Sequence, residues 1–285
     1  MINIPIKNFV LAVLLISFIT LLSSCRPKPV TEVNLPNVEA QLVLYCFLSP
    51  DDSVIEVQVT KSVPVFGTTL SNKDLTVSNA DVKISNGLLT AIVPFNLKSN
   101  KYILSQNLFP IIASRTYTVT AQSGALSVKG TTSIPAHITS LTSVKAQSIQ
   151  GPAQDESEVL FNMNWKDEQG IKNYYRIHLQ TRVYFSATDT FTNVIGDEMF
   201  NDENNEGNQL NAQFQSYQYK FNSTDSADYF IYLLNTDVHY YEYHLRRLAY
   251  AGDDPFSEPF QQYSNVNGGL GVVCSFRKSV TKITF

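Results

Sequence analysis

The chain has few of the side chains with which proteins do covalent or metal chemistry. Its 285 residues include three cysteines, four histidines and one tryptophan. The sequence contains no CxxC pair, HExxH motif or GxSxG motif, so dithiol, zinc-protease and serine-hydrolase functions lack their usual sequence support. Charged residues make up only 16%, without a run of lysine or arginine, which argues against nucleic acid as a partner.

Apolar side chains, in contrast, are plentiful. Hydrophobic residues make up 44% of the chain and aromatic residues 12%, which is enough to build hydrophobic cores. A chain of this length commonly forms about two domains. The composition therefore predicts a folded protein of roughly two domains, and we expect it to carry neither catalytic residues nor a cofactor.

The first 24 residues have the pattern of an export signal. Lys7 is their only charged residue, and an apolar run over Phe9–Leu22 follows it. A basic start followed by a short apolar run indicates a secretory signal peptide over residues 1–24, because the run is too short for a stable membrane span.

The end of this signal, Leu22-Ser23-Ser24-Cys25, resembles the lipobox of bacterial lipoproteins. The resemblance implies that the peptide is cut before Cys25 and that this cysteine is lipidated and anchors the chain in a membrane. Arg26 stands where an aspartate commonly retains lipoproteins in the inner membrane, so the outer membrane is implied, with a periplasmic or surface-facing side undetermined. The alternative is an uncleaved signal anchor. Residues 25–38 contain three prolines and are predicted to form an extended tether.

Residues 39–135 are predicted to form an immunoglobulin-like β-sandwich. Stretches such as Gln41–Leu48 and Val54–Thr60 are rich in β-forming residues or alternate between apolar and polar side chains, as half-buried strands do. Turn pairs such as Asn86-Gly87 and Ser123-Gly124 separate them. Six or more short strands at this spacing are typical of the immunoglobulin type.

Residues 136–285 are predicted to form a second β-rich domain with one short helix. Trp165 closes one predicted strand and Tyr174-Tyr175 lies in the next, a pattern similar to the second and third strands of fibronectin type III domains. A polar loop is expected over Asp197–Asn211.

The helix of this second domain is predicted from a change of period. Asp237 is a potential cap, and apolar side chains then recur at helical spacing up to about Gly252: Val238, Tyr241, Leu245 and Leu248. Spacings of three and four place these side chains on one stripe. A strand is the alternative, as in the fibronectin-like arrangement.

Three features qualify as possible ligand or cross-link sites. Cys46 and Cys274 allow a disulfide, although we favour two unpaired, buried side chains in strands. The stretch Asp202–Gly207 nearly matches a calcium loop, but Glu206 and Gln213 stand at two ligand positions where other residues are usual, which favours a solvated loop. Asp167-Glu168 resembles a glycosidase carboxylate pair, yet adjacent residues in a turn cannot lie on two sides of a sugar.

Two short triplets, Asp52-Ser53-Val54 and Asp225-Ser226-Ala227, are similar to the O-glycosylation acceptor of Bacteroidota envelope proteins. That resemblance implies Ser53 and Ser226 as possible modification sites.

The C-terminal stretches Asp254–Pro259 and Tyr263–Gly271 resemble the signature of the Bacteroidota lipoproteins grouped as domain of unknown function 4249 (DUF4249). Within it, we interpret Gly268, Gly269 and Gly271 as turn or close-approach residues, because the lysine of a phosphate-binding loop is missing. The resemblance extends over essentially the whole mature chain. It implies an accessory lipoprotein found beside TonB-dependent outer-membrane transporters, with a role in nutrient uptake or envelope assembly.

We therefore expect a non-catalytic accessory or binding component, held at the outer membrane by its lipid anchor and working with a β-barrel transporter. The alternative is a structural or adhesive envelope protein. A hydrolase comes third, since it requires a cleft with convergent ionisable groups. Nine tyrosines between positions 217 and 263 are candidates for a sugar- or protein-binding surface.

Overall fold

A computed structural model describes residues 39–63, 71–151, 157–185, 190–217, 226–250 and 262–284. The predicted signal peptide, Cys25 and most of the tether lie outside these residues. Within the described ranges the fold is mainly β, as predicted. No helix in these ranges is both long and apolar enough to cross a membrane.

The strands of the first half are β1 (Leu42–Leu48), β2 (Val54–Lys61), β3 (Asp81–Ser85), β4 (Thr90–Ile92), β5 (Phe95–Asn96), β6 (Lys101–Ser105), β7 (Thr116–Ser123) and β8 (Leu126–Ser133). Those of the second half are β9 (Leu141–Gln150), β10 (Ser157–Lys166), β11 (Tyr174–Tyr184), β12 (Thr190–Asn201), β13 (Gln209–Tyr217), β14 (Ser226–Thr236) and β15 (Leu270–Thr284). The helices are α1 (Asn72–Leu75) and α2 (Val238–Ala249).

The first half forms the predicted immunoglobulin-like sandwich. One of its sheets has the order β1-β2-β6-β5 and the other the order β4-β3-β7-β8, which is the arrangement of immunoglobulin-type domains. Tyr117, fully buried at the start of β7, forms the tyrosine corner of such folds. Its hydroxyl donates to the carbonyl of Pro110 at 3.1 Å and accepts from the backbone N–H of Ile112 at 2.8 Å.

The second half repeats this arrangement. Strands β13, β10 and β9 form a small sheet that packs against β12, β11, β14 and β15. Trp165 and Tyr175 are both fully buried in the core between these sheets, with ring centroids 6.0 Å apart. The predicted similarity to fibronectin type III strands is therefore confirmed in strand order.

The last strand, β15, belongs to both sandwiches. Its first part pairs in parallel with β1, from Leu270 beside Val43 to Ser275 beside Leu48. Its second part pairs antiparallel with β14. The two large sheets thereby merge into one eight-stranded sheet, and the predicted boundary at residues 135/136 falls in the connection between β8 and β9.

The glycines before β15 allow close backbone approach, as predicted. Gly271 has a φ of +114°, and a Cβ on it would lie less than 3.0 Å from the carbonyl oxygen of Leu44 on β1. A Cβ on Gly269 would crowd Leu42 in the same way. The second stretch of the signature, which ends at Gly271, is therefore a tight packing element between β1 and β8.

Cys46 and Cys274 lie on opposite faces of the eight-stranded sheet. In the β1–β15 register Cys46 stands beside Val273, and both side chains belong to the core of the first sandwich. Cys274 stands beside Phe47 on the other face, in a cluster under α2. Both thiols are free and fully buried, so the disulfide alternative is wrong and the favoured one is confirmed.

We expect a thiol reagent such as Ellman's to label neither cysteine in the native protein and both after unfolding. Burial raises the pKa of Cys46 to about 12 and also raises that of Cys274, so neither forms the reactive thiolate near neutral pH. The Cys46→Ala variant should release one thiol fewer in denaturant. A gain of free thiol on adding reductant would contradict this arrangement.

Candidate functional site

The described residues cover one face of the eight-stranded sheet only in part. The other face packs against the two smaller sheets, whereas this one meets α2 near its middle. We call the remainder the open face and define it as the side chains of β11, β12, β14 and β15 that point away from the second core. Its polar and aromatic members include Arg176, His178, Gln180, Arg182, Asp197, Asp228, Phe230, Tyr232, Phe276, Lys278 and Lys282.

Helix α2 forms one wall of the open face. The predicted helix and its Asp237 cap are confirmed, since the Asp237 carboxylate accepts from the N–H of Tyr240 at 2.8 Å. Of the predicted stripe only Tyr241 is buried, whereas Leu245 and Leu248 are 39% and 44% exposed. The helix instead buries a face rich in tyrosine: Tyr240, Tyr241 and Tyr243.

The reason lies in the sheet beneath the helix. Phe47 on β1 meets Tyr240 and Tyr243 edge-on, at centroid distances of 6.0 and 5.8 Å. Phe276 on β15 packs against Tyr240 at 5.5 Å. Edge-on contacts between aromatic rings are stabilising, and the tyrosine hydroxyls can still form hydrogen bonds. The helix therefore packs its tyrosines, and not its leucines, against this aromatic surface.

A partly buried ion pair fixes the edge of the site nearest α2. Arg176 donates from Nε and Nη2 to the two carboxylate oxygens of Asp197, at 2.7 and 2.5 Å, and from Nη1 to the hydroxyl of Tyr240 at 2.6 Å. Burial opposes ionisation of Asp197, but its hydrogen bonds from Arg176 and the nearby imidazole of His178 outweigh burial and hold the pKa of Asp197 well below its ordinary value. Such bidentate pairing gives the guanidinium a fixed orientation.

His244 on α2 lies beside this pair. Its ring packs on Tyr240, with centroids 4.3 Å apart, and on Phe47. Burial and the positive charge of Arg176 lower the pKa of His244 to about 3. The imidazole is therefore neutral at neutral pH.

The stability of the protein should fall as the pH drops below about 6.5, the unfolded-state pKa of histidine. Between pH 6.5 and about 3, His244 is protonated in the unfolded chain but neutral in the folded protein. Proton uptake therefore favours the unfolded state. We expect the loss of urea midpoint between pH 7.5 and 4.5 to be smaller in His244→Phe, which keeps the ring. Equal losses in both proteins would contradict the assignment.

A shallow pocket of about 280 Å³ opens on the open face beside α2. Its lining residues are Arg176, His178, Gln180, Tyr232, Leu234, Phe276 and Lys278. None of these described lining residues is acidic. The Nδ1 atom of His178 is buried without a hydrogen bond in the described structure, although Asp197 lies 3.5 Å from it.

The outer part of the open face combines rings and cations. Arg182 and Lys282 both lie over the ring of Phe230, with their charged centres 5.3 and 5.9 Å from its centroid. The side chain of Gln180 donates to the hydroxyl of Tyr232 at 3.0 Å. These groups offer contact area together with fixed polar tips.

A larger cavity of about 390 Å³ lies between the β8–β9 connection and the start of α2. Its polar lining is already engaged within the protein. Asn235 accepts from the N–H of Thr139 at 2.6 Å, and Asn173 donates to the carbonyl of Glu168 at 2.9 Å. On the open face, in contrast, Arg182 has no carboxylate partner among the described ion pairs and His178 Nδ1 has no hydrogen bond.

Three carboxylates, Asp167, Asp202 and Glu206, each place one oxygen within 4.8 Å of the others. The loop that nearly matches a calcium motif thus lies next to Asp167. The spacing of residues within the loop did not indicate this neighbour. Asp167 accepts from the hydroxyl of Tyr175 at 2.7 Å and from the N–H of Gly207 at 2.8 Å. Asp202 accepts from the N–H of Asn173 at 2.5 Å.

These hydrogen bonds explain the acidic cluster as a connector of two loops. Asp167 and Asp202 are each 3% exposed, so the interpretation of a fully solvated loop is wrong for Asp202. Calcium takes six to eight oxygen ligands, and the cluster supplies three carboxylates that already accept hydrogen bonds. The same contacts engage both carboxylate oxygens of Asp167 within the protein.

The two predicted modification sites lie at opposite parts of the fold. Ser53 is exposed in the turn between β1 and β2, and Ser226 is exposed at the first residue of β14. Asp225, which completes the second triplet, lies outside the described residues. Their glycosylation stays a prediction: we expect an intact-mass excess that falls in Ser53→Ala or Ser226→Ala, and an unmodified wild-type mass would refute it.

The strand order and the open face together define a tandem β-sandwich protein whose two sandwiches share one sheet. The chain belongs to the family described as Domain of unknown function (DUF4249), whose sequence profile matches residues 30–282. The predicted family is thereby confirmed. A comparison with curated proteins finds no significant match.

Proposed function

We propose that the chain is a lipid-anchored accessory or binding component of the bacterial outer membrane, without catalysis of its own, that works with a TonB-dependent transporter in nutrient uptake. Its export signal and the lipobox ending at Cys25 support the anchor. The family's resemblance to transporter-associated lipoproteins of Bacteroidota supports the partner.

The structural observation that carries the proposal is the open face. A rigid eight-stranded sheet presents half-exposed rings and fixed cations there, and α2 rises beside a shallow pocket. Recognition surfaces commonly combine aromatic residues and arginine in this way. Around the pocket the ionised groups are held in pairs, Arg176 with Asp197 and Lys278 with Asp52, which suits binding better than proton transfer.

The anchor is tested by labelling. Cells that express the full chain should incorporate labelled palmitate into it, and Cys25→Ala should abolish the label and leave the protein outside the outer-membrane fraction. Cys46→Ala is the matched control, because that thiol is buried in the fold. Label that persists in Cys25→Ala would refute the lipid anchor.

The partner is tested by affinity purification from detergent-solubilised outer membranes. We expect the wild-type protein to recover one β-barrel transporter in roughly stoichiometric amount. Recovery of no barrel protein under mild detergent and low salt would refute the accessory function.

A further inference from the structure

The open face has a charge opposite in sign to that of the whole chain. The strand registers place four cationic side chains on it, Arg176, Arg182, Lys278 and Lys282, and two acidic ones, Asp197 and Asp228. Asp52 of the β1–β2 turn also reaches this face, where it pairs with Lys278 at 2.6 Å, so these groups leave one net positive charge on the face. The complete chain has a formal net charge of −4, so the remaining surface repels an acidic partner that this face attracts.

The outer part of this face resembles the centre of a protein interface. The side chain of Lys282 is 54% exposed and pairs with Asp228 at 2.8 Å. Val280 on the same strand and Val194 on β12 are 49% and 53% exposed. Arg182 lies over Phe230 and has no carboxylate partner among the described ion pairs. Arginine and aromatic residues dominate the binding energy of many protein interfaces.

The pocket on the same face is suited to a carboxylate. Its polar tips include the guanidinium of Arg176, the imidazole of His178 and the ammonium of Lys278, and no described lining residue is acidic. Asp197 already holds Arg176, and Asp52 holds Lys278 with an Nζ–O distance of 2.6 Å. Groups that are fixed before binding lose less conformational freedom when a partner arrives.

We propose that the open face is the docking surface for an acidic loop of the β-barrel partner, with one carboxylate side chain of that loop in the pocket. This inference rests on the proposed function, which supplies the partner. The charge distribution favours one orientation of docking, because an acidic loop meets favourable potential at this face.

The test compares two charge-reversal variants of the full chain in the affinity purification. Arg182→Glu/Lys282→Glu alters the open face. Lys129→Glu/Lys145→Glu makes the same change of net charge at exposed positions on β8 and β9, on the outer sides of the smaller sheets. We expect the face variant to recover at least about tenfold less barrel protein per bait than wild type, and the control variant to match wild type. Raising the salt should release the wild-type complex.

The outcomes separate the two proposals. If the wild-type protein recovers no barrel, the accessory function fails and the docking inference falls with it. If wild type and the face variant recover the barrel equally, only the docking inference is overturned. Wild-type binding to phosphatidylglycerol vesicles that the face variant loses would assign the face to lipid and overturn it as well. Far-UV circular dichroism spectra that match wild type show that the variants are folded. If Arg182→Glu/Lys282→Glu is not folded, the milder Arg182→Ser/Lys282→Ser takes its place.

Discussion

Gly271→Ala is expected to lower the free energy of unfolding by about 3 kcal/mol or more, combining a left-handed backbone with a steric clash. The φ of +114° disfavours any residue with a Cβ. In addition, the new Cβ would lie closer than 3.0 Å to backbone atoms of Leu44, and those atoms cannot rotate away. The pairing of β15 with β1 must therefore shift.

Gly87→Ala is the matched control for this prediction. Gly87 has a φ of +87°, but nothing lies within 4 Å of the Cβ that alanine would add. The loss of free energy of unfolding should therefore come from the left-handed backbone conformation alone and be about 1 kcal/mol. Urea unfolding followed by circular dichroism measures both variants. Equal losses at the two positions would show that the close approach at Gly271 contributes nothing.

Asp237→Ala should cost about 2–4 kcal/mol, because one carboxylate serves three partners from separate parts of the chain. It accepts from the N–H of Tyr240, from the N–H of Ser275 at 3.2 Å and from the hydroxyl of Thr132 at 2.5 Å. Thr132 and Ser275 are almost fully buried. Alanine would remove the helix cap and leave both groups without their acceptor.

Asp237→Asn separates the hydrogen bonds from the charge. Asparagine keeps an oxygen for Tyr240 and Ser275, so the loss should be smaller than in the alanine variant. Burial raises the pKa of Asp237, which means that wild type loses stability as the pH rises above about 4, where the unfolded chain ionises first. The free energy of unfolding of the asparagine variant should therefore rise relative to that of wild type from pH 4 to pH 7. A constant difference across that range would contradict the raised pKa.

Much of the first sandwich is predictable from its sequence, because its strands have one buried and one exposed side. In β2 the apolar residues Ile55, Val57 and Val59 alternate with polar ones, and the burial of the strand follows this pattern. Trp165 and Tyr175 likewise identify the centre of the second core. Their large rings need a complete shell of neighbours, so a single tryptophan is a strong indicator of burial.

Edge strands and pairings between distant residues are not predictable in this way. Strand β12 extends to Asn201 and overlaps the expected loop over Asp197–Asn211, since an edge strand with mostly exposed side chains shows no apolar alternation. The buried face of α2 is not predictable from aliphatic periodicity, because its buried residues are tyrosines. The pair of Arg176 with Asp197 joins neighbouring strands through their register, which leaves no spacing signal in the sequence.

The pairing of β15 with β1 also has a consequence for the order of events during biosynthesis. Val43 stands beside Leu270, so the first strand to be synthesised gains one of its two neighbours only after nearly the whole chain exists. Contacts so distant in sequence make folding slow, and an incomplete chain keeps an edge of β1 unpaired. The eight-stranded sheet can therefore be complete only after the last strand has been synthesised.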